Sequence, residues 1–439
     1  MIKVAMASLG CAKNLVDSEN MLGMIKKAGM EIIDDESMAD VIIVNTCCFI
    51  NDAKQESIDT ILDVAQWKTD GNCKRLIVTG CLAQRYQDEI IKELPEVDAV
   101  LGIGEMEKIV DVIKDSDTSV MCEGEYKFCT DERVMTTPFY TGYLKIADGC
   151  DNHCTYCVIP SIRGKFQSRP MEKLVAEAEN MAKSGVKELV VIAQDTTYYG
   201  TDLYGEPKLA ELLKKLCKIE GFTWIRVHYC YPERITDELI DVIAKEDKIC
   251  KYLDIPIQHC NDEVLKRMGR KSNRESLEKL IFKLRDKIPN LTIRTTLITG
   301  FPGETEEQFL ELLDFIKKMK FERLGAFAYS CEEETPASLM DNQIDEEEKQ
   351  RRLETLMLTQ DEVTEDISSA KKNTEITVLT EGYDDLVKQH FGRSEADSLD
   401  VDGKVFFKSE KRIAQGEFVK VRIEQFFDCD LFGSIVKEL

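Results

Sequence analysis

Short apolar runs alternate with amphipathic stretches through most of this 439-residue sequence, in two separate series. Such alternation dictates parallel sheets covered by helices, because a strand that returns parallel to its predecessor needs a long crossover. The first series has predicted strands over residues 2–9, 41–44, 75–79 and 97–101, with helical stretches over 18–27, 54–66 and 83–93. It reads as an open parallel α/β sheet. The second has predicted strands over 143–147, 188–193, 224–229, 252–257, 291–298 and 323–329. Helical stretches over 172–183, 208–218, 237–244, 274–287 and 306–318 lie between them, and a long charged helix over 345–367 follows. Six strand–helix units fit a partial (β/α)6 barrel better than a closed barrel of eight.

Between the two series, a polar stretch carrying Glu123, Glu125, Asp131 and Glu132 and ending at Pro138 reads as a linker with room for a short hairpin. After residue 373 the texture changes to short strands over 376–380, 399–407, 417–423 and 431–436, separated by Gly382, Gly403 and Gly416. That pattern suggests a small antiparallel barrel of the oligonucleotide-binding sort. The expected organisation is an α/β multidomain chain: an N-terminal domain over 1–118, a linker over 119–137, a central domain over 138–370 and a tail domain over 373–439.

The formal charge of −24 disfavours a phosphate backbone as partner and suits a basic protein, although acidity can also serve solubility alone. The N-terminus reads as a strand rather than a signal peptide, and no apolar run is long enough to span a bilayer. Sixteen cysteines in such a chain are expected as thiols or metal ligands in a reducing cytoplasm.

Chemistry enters with Gly149-Cys150-Asp151-Asn152-His153-Cys154-Thr155-Tyr156-Cys157. The segment follows the first strand of the second series, at the C-terminal mouth of the expected barrel, where active sites collect. Three thiolates at CxxxCxxC spacing can hold three corners of a 4Fe-4S cube. The fourth iron is then free to chelate the amino and carboxylate groups of S-adenosylmethionine, while the protein binds, orients and excludes water. A zinc site with His153 as fourth ligand is the alternative. Structural zinc motifs, however, pair two distant knuckles, and no second knuckle appears.

Three further cysteines end successive strands of the first series. Cys11 follows the first strand in Leu9-Gly10-Cys11, Cys47 ends the second in Asn45-Thr46-Cys47, and Cys81 ends the third in Thr79-Gly80-Cys81. The C-terminal strand ends of an open parallel sheet form one rim, so these residues converge although they lie far apart in the chain. Glycine beside Cys11 and Cys81 lets the backbone approach a bulky group. Cys48 points away from its neighbour on an extended segment, leaving Cys47 as the ligand candidate. The alternative is three buried small apolar side chains. The other cysteines, among them Cys73, Cys122, Cys129, Cys217, Cys230, Cys250, Cys260, Cys331 and Cys429, show no paired spacing and read as structural or incidental.

The run CDNHCTYCVIPSIRGKFQSRP over 150–170 resembles the signature of the radical S-adenosylmethionine superfamily, and specifically of its methylthiotransferases. Within these, SLGCAKNLVDSE at 8–19, YLKIADGCDNHCTYC at 143–157, LDIPIQH at 253–259, RTTLITGFPGETE at 294–306, YSCEEETPAS at 329–338 and GRSEADSLDVDG at 392–403 resemble the branch that modifies a ribosomal protein. One departure is Ser398-Leu399-Asp400, where the family more often carries a proline.

The resemblance implies a TRAM-like tail barrel and two 4Fe-4S clusters, one on Cys11, Cys47 and Cys81 and one on the catalytic triplet Cys150, Cys154 and Cys157. It also implies cofactor contacts from polar mouth residues: Gln194, Asp195, Gln258, and Gly300 and Glu304 of the turn 300–304, with His228 and His259 nearby. It further implies two uses of S-adenosylmethionine, as methyl donor and as radical source, to methylthiolate the β-carbon of an aspartate on small-subunit ribosomal protein S-twelve. A reductant such as flavodoxin or ferredoxin supplies electrons. An unactivated C–H bond offers no acidic proton, so general acid–base catalysis alone does not suffice.

Charge separates two substrate classes. Residues 373–439 hold 14 acidic and 9 basic side chains, net −5, which suits a basic ribosomal protein; a tail gripping transfer RNA should be basic. A non-enzymatic iron–sulfur carrier would also hold clusters but would not need a six-unit barrel.

Overall fold

The computed structural model describes residues 1–115, 120–122, 126–128 and 133–438. The first series forms strands β1 (Lys3–Ser8), β2 (Glu31–Ile32), β3 (Val41–Thr46), β4 (Arg75–Gly80), β5 (Ala99–Leu101) and β6 (Val120–Met121). They make one parallel sheet in the order β2-β1-β3-β4-β5-β6. Strands β3 and β4 are buried on both faces, as a sheet covered by helices requires. The edge strands β2 and β6 are two residues long and leave no alternation to read. Strand β6 carries the sheet into the stretch expected to be a linker. The acidic residues Glu123, Glu125, Asp131 and Glu132, the hairpin considered there, and Cys129 lie outside the described residues.

The first helix runs Ala12–Lys27, six residues earlier than its periodicity predicts, with Cys11 as its N-cap. The added residues bury Lys13, Asn14 and Asp17, which continue with the buried Ser18 and Glu19 a polar face that no apolar stripe announces. The helical stretch predicted over 83–93 is two helices, Cys81–Arg85 and Gln87–Glu93, separated at Tyr86.

The second series forms β7 (Thr141–Lys145), β8 (Ala147–Asp148), β9 (Gln167–Ser168), β10 (Glu188–Ile192), β11 (Trp224–Val227), β12 (Ile249–Asp254), β13 (Thr292–Thr299) and β14 (Arg323–Ala328). Six of these pair in the order β14-β13-β12-β11-β10-β7, all parallel, giving the expected partial barrel. Leu144, Leu189, Val191, Ile225, Leu253 and Ile293 face outward into the core shared with the covering helices. The alternate positions Tyr143, Glu188, Val190, Arg226 and Tyr252 face the lumen, as the two-residue period demands. Among the described residues no helix is long and apolar enough to cross a membrane.

The long helix Glu346–Ala370, capped by the Asp345 side chain, leads to a closed barrel of β15 (Glu375–Asp384), β16 (Gln389–Ser394), β17 (Val405–Lys408), β18 (Phe418–Phe427) and β19 (Asp430–Glu438). The strands pair antiparallel except β17 with β19, which are parallel and complete the closure of the small barrel expected.

The predicted strand over 399–407 also needs correction. Only its end is strand; before it the chain leaves the tail barrel and enters the lumen of the central one. There Arg393 donates to Glu188 at 2.6 Å, Arg226 to Glu188 at 2.9 Å and to the Glu395 carbonyl at 2.7 Å, and Tyr252 to Asp402 at 2.7 Å. Arg323 pairs with Asp397, and the Ser398 hydroxyl meets His228 Nε2 at 3.0 Å. Polar residues here satisfy barrel arginines, so the apolar alternation at Leu399, Val401 and Val405 mimics a strand without being one. Burial alone would raise the Glu188 carboxyl, but Arg393 and Arg226 outweigh it and hold it down to about 2.

Candidate active site

The rim cysteines stand where their strands place them. Cys11 follows β1 and caps the first helix, Cys47 follows β3, and Cys81 opens the helix after β4. Ser57, fully buried, accepts from the Cys47 N–H at 3.0 Å and donates to the Cys47 carbonyl at 2.9 Å, fixing that loop. Gly10 has a φ of +82°, and a Cβ there would lie 2.7 Å from Cys47 Cβ and 2.9 Å from its sulfur. Cys11 and Cys47 therefore approach across a position that only glycine leaves open. Burial pushes the Cys47 thiol up to about 11, with the neighbouring Cys81 and Cys11 thiols adding to the effect. Cys48 is fully buried within the apolar core of the N-terminal sheet.

Cys11 is exposed where it caps the first helix. Desolvation opposes its ionisation, but Lys13 and Arg163 reverse that and bring it below its ordinary value. Lys13 crosses from the first helix to the barrel mouth, its ammonium 3.4 Å from the centroid of the Tyr229 ring. Tyr229 follows β11 with φ +58°, held by its N–H donating to Asp254 at 3.1 Å.

The second triplet lies on an excursion closed at its base by the antiparallel pair β8–β9. Gly149, φ +75°, starts it, and a Cβ there would meet the Lys165 carbonyl oxygen at 2.1 Å. The Cys150 N–H donates to the Gly164 carbonyl at 3.1 Å, its sulfur accepts from the Asn152 N–H at 3.4 Å, and the Cys157 N–H donates to the Cys154 carbonyl at 3.1 Å. Burial pushes Cys150 up to about 11 and Cys157 up to about 12. Arg270 lies 3.9 Å from the Cys154 sulfur and stacks on Tyr231. His153 is exposed.

A buried charge cluster joins the two triplets. Arg163 donates to Asp17 and Asp148 at 2.8 Å each, to Asn14 at 3.2 Å and to the Cys81 sulfur at 3.4 Å. Lys145 pairs with Asp148 at 2.8 Å and with Asp17. Asn14 and Asp17 come from the first helix; Lys145, Asp148 and Arg163 come from the central domain. Two cations thus balance two carboxylates beneath both triplets, a geometry in which neither partner is left bare.

The chain has relatives that match it along its whole length. The chain is 51% identical over 443 residues to the ribosomal protein uS12 methylthiotransferase RimO of Lachnoclostridium phytofermentans, covering 99% of this chain and all of that one. It is 50% identical to the proteins of the same name from Clostridioides difficile, covering all of both chains, and Geotalea uraniireducens, covering 99% of this chain and 98% of that one. The chain belongs to the RimO family of radical S-adenosylmethionine methylthiotransferases. Residues 144–316 match the radical SAM superfamily, 3–102 the uncharacterized protein family UPF0004, and 374–436 the TRAM domain. Among solved structures, the radical S-adenosylmethionine methyltransferase TsrM of Kitasatospora setae aligns with a TM-score of 0.55 at 16% identity, covering 77% of each chain. The cobalamin-dependent radical enzyme OxsB aligns at 0.52 and 14%, covering 80% of this chain and 56% of that one. Both likenesses show the fold.

In this RimO-family chain the other mouth residues fall into two groups. Gln194 donates to Asp148 at 2.6 Å while its buried Oε1 has no partner. Gln258 adopts φ +71°, and no described residue bonds its side chain. By contrast, Asp195 is occupied by Asn152 at 3.0 Å, Thr197 and Arg234, tying the cysteine excursion to the end of β10. Glu304 accepts from the Gly300 N–H at 2.5 Å and Arg352 at 3.1 Å and meets His259 at 3.1 Å. Gly300 abuts Lys349 of the long helix. Lys13, Asp17, Lys145 and Arg163 fall inside the quoted motifs without a role that the sequence assigns them, and Arg270 lies outside every motif. Their charge beside the cysteines was the signal for the first four; Arg270 carried none.

Among the described residues no three His, Cys, Asp or Glu side chains gather tightly enough to hold one metal ion. A single zinc ion would draw its thiolates to about 2.3 Å, whereas a cube spreads them over separate corners. Three thiols per site, the open face at Gly10 and the orphaned Gln194 Oε1 fit two cubes and a polar cofactor.

Proposed function

We propose that the chain methylthiolates the β-carbon of an aspartate on ribosomal protein uS12, the activity named for its relatives. The observation that carries this reading is the junction of two cysteine triplets through Arg163. One triplet, Cys11, Cys47 and Cys81, would hold a 4Fe-4S cluster on the rim of the N-terminal sheet, and the other, Cys150, Cys154 and Cys157, would hold one at the barrel mouth. Bound there, the clusters with S-adenosylmethionine supply radical and sulfur-transfer chemistry that no side chain provides.

The chain's own residues do the rest. Gln194 and Gln258 offer free polar groups to the cofactor, Asp195 orients the Asn152 segment, and Gly300 with Glu304 shapes the mouth. The barrel walls and the 395–404 loop exclude water. Arg163 and Lys145 neutralise the carboxylates beneath the triplets. The tail recruits a basic protein: Asp397 and Asp402 are spent inside the lumen, while Asp385, Glu410, Glu424 and Asp428 remain exposed for docking. A cytoplasmic setting with flavodoxin or ferredoxin as reductant completes the reading.

The test is anaerobic reconstitution, then incubation with S-adenosylmethionine, reductant and either uS12 or transfer RNA, with mass spectrometry of both. A methylthio increment on uS12 supports the proposal. An increment on RNA alone, or no deoxyadenosine at all, overturns it.

A further inference from the structure

We infer that Glu332 is a positioning residue that fixes the separation of the two cysteine triplets, by clasping the helices that follow Cys47 and Cys81 to the loop that braces the segment 150–157. This rests on the reading of the triplets as two cluster sites and names the side chain that holds them apart at a set distance.

Glu332 follows β14, the strand at one edge of the six-strand sheet, and is 2% exposed. Its Oε2 meets the Lys54 ammonium at 2.7 Å and the Arg85 guanidinium at 3.2 Å. Both cations come from the N-terminal domain. Lys54 lies in the first turn of the helix Asn51–Ala65, which begins just past Cys47 and Cys48, and Arg85 ends the helix that Cys81 opens. Arg85 also donates to the Glu333 carbonyl at 2.7 Å. On its other side the same loop reaches the cysteine excursion: the Ala337 N–H donates to the Thr155 carbonyl at 2.9 Å, between Cys154 and Cys157. The loop is fixed around Glu332, because Ser330 donates to its Oε1 at 2.8 Å and Thr335 donates to its carbonyl at 2.7 Å.

The clasp sits opposite the other junction. Arg163 joins the triplets beside β7, the far edge strand of the same sheet, through Asp148, which Lys145 of β7 also holds. A single contact would leave the N-terminal sheet free to pivot about it. A second contact at the opposite edge removes that freedom. The carboxylate matters because the Lys54 and Arg85 side chains are only 16% and 6% exposed, so a neutral residue would leave two poorly solvated cations unpaired. Chemistry shared between two sites on different domains depends on their separation, and a misplacement of about 1 Å can cost about a hundredfold in rate. Glu332 is therefore used at the domain junction, apart from the exposed acidic side chains that suit a basic partner.

A merely stabilising ion pair would lower the melting temperature and nothing else. The full-length reconstituted chain is compared as wild type, Glu332→Gln, Glu332→Asp and Lys54→Met. Each is measured for iron, for the dipolar coupling between its two reduced clusters, and, with uS12 as substrate, for methylthio product per deoxyadenosine formed. Glu332→Gln should keep its iron and its rate of deoxyadenosine formation. Its inter-cluster distance distribution should broaden, and its product per deoxyadenosine should fall about tenfold or more. Glu332→Asp, which keeps the charge, should recover part of both, and Lys54→Met, which leaves Arg85 in place, should fall between. An unchanged distance distribution with an unchanged product ratio in Glu332→Gln overturns the proposal, whatever the melting temperature. If Glu332→Gln holds no iron, Lys54→Met decides, and wild-type distance and ratio there overturn the proposal equally. Failure of the underlying reading looks different: wild type itself would show no coupling between two clusters.

Discussion

The guanidinium of Arg163 reaches from the segment that carries Cys150, Cys154 and Cys157 to 3.4 Å from the sulfur of Cys81. One side chain thus links the excursion of the central barrel to the rim of the N-terminal sheet, and it does so while neutralising Asp17 and Asp148. Position of one triplet relative to the other is set by a buried electrostatic contact rather than by apolar packing alone.

Removing that contact should be severe. Arg163→Met leaves two buried carboxylates with Lys145 as their only paired cation among the described residues, at an expected cost of about 3–5 kcal/mol. Arg163→Lys should recover part of it. Thermal denaturation of the two variants measures the difference, and equal melting temperatures would remove Arg163 from this role.

Two glycines of one loop offer a matched pair. Gly149→Ala drives a Cβ to 2.1 Å from the Lys165 carbonyl oxygen, whereas at Gly164, φ +71°, nothing lies within 4 Å. The first change should prevent closure of the cysteine excursion and remove about half of the bound iron. The second should cost only backbone strain of about 1–3 kcal/mol and keep the iron. Iron per chain after reconstitution distinguishes them.

His228 makes stability depend on acid. Burial, aided by Arg226 and Arg294 against Asp254 and Glu188, holds its imidazole down to about 4, from an ordinary 6.5. Between those values the unfolded chain takes up a proton that the folded chain refuses, so stability falls as pH drops below about 6.5. The expected share at pH 5 is about 2 kcal/mol. In His228→Gln, melting curves between pH 7 and pH 5 should shift less than in wild type. Parallel shifts in both would show that His228 is not the group responsible.

The tail loop is held by Glu188, which both Arg393 and Arg226 contact. Arg393→Met should destabilise the chain by about 3–5 kcal/mol by leaving Glu188 and Glu381 under-neutralised. It should also expose the 395–404 loop, which limited proteolysis reads directly as a new early cleavage.

The parallel strands, the six barrel units and the position of every triplet cysteine were legible because strand ends and apolar runs follow short-range rules. The start of the first helix was not, because Lys13, Asn14, Asp17, Ser18 and Glu19 are buried by partners from distant parts of the chain. The lumen loop was misread for a related reason: Asp397, Ser398 and Asp402 answer Arg323, His228 and Tyr252 across more than seventy residues of sequence. Strand β16, Gln-His-Phe-Gly-Arg-Ser, lacks apolar alternation altogether and exists because its neighbours in the closed barrel demand it. Charge networks are where sequence proximity and spatial proximity part company.

The most direct measurement is iron and sulfide content, with cluster spectra, of the variant Cys150→Ala/Cys154→Ala/Cys157→Ala after anaerobic reconstitution. If each triplet holds its own 4Fe-4S cluster, the variant should keep about half the wild-type iron and the spectrum of one cluster. Further replacement of Cys11, Cys47 and Cys81 should then remove the rest. A triple variant that binds no iron, or one whose iron survives loss of all six cysteines, would contradict two independent sites.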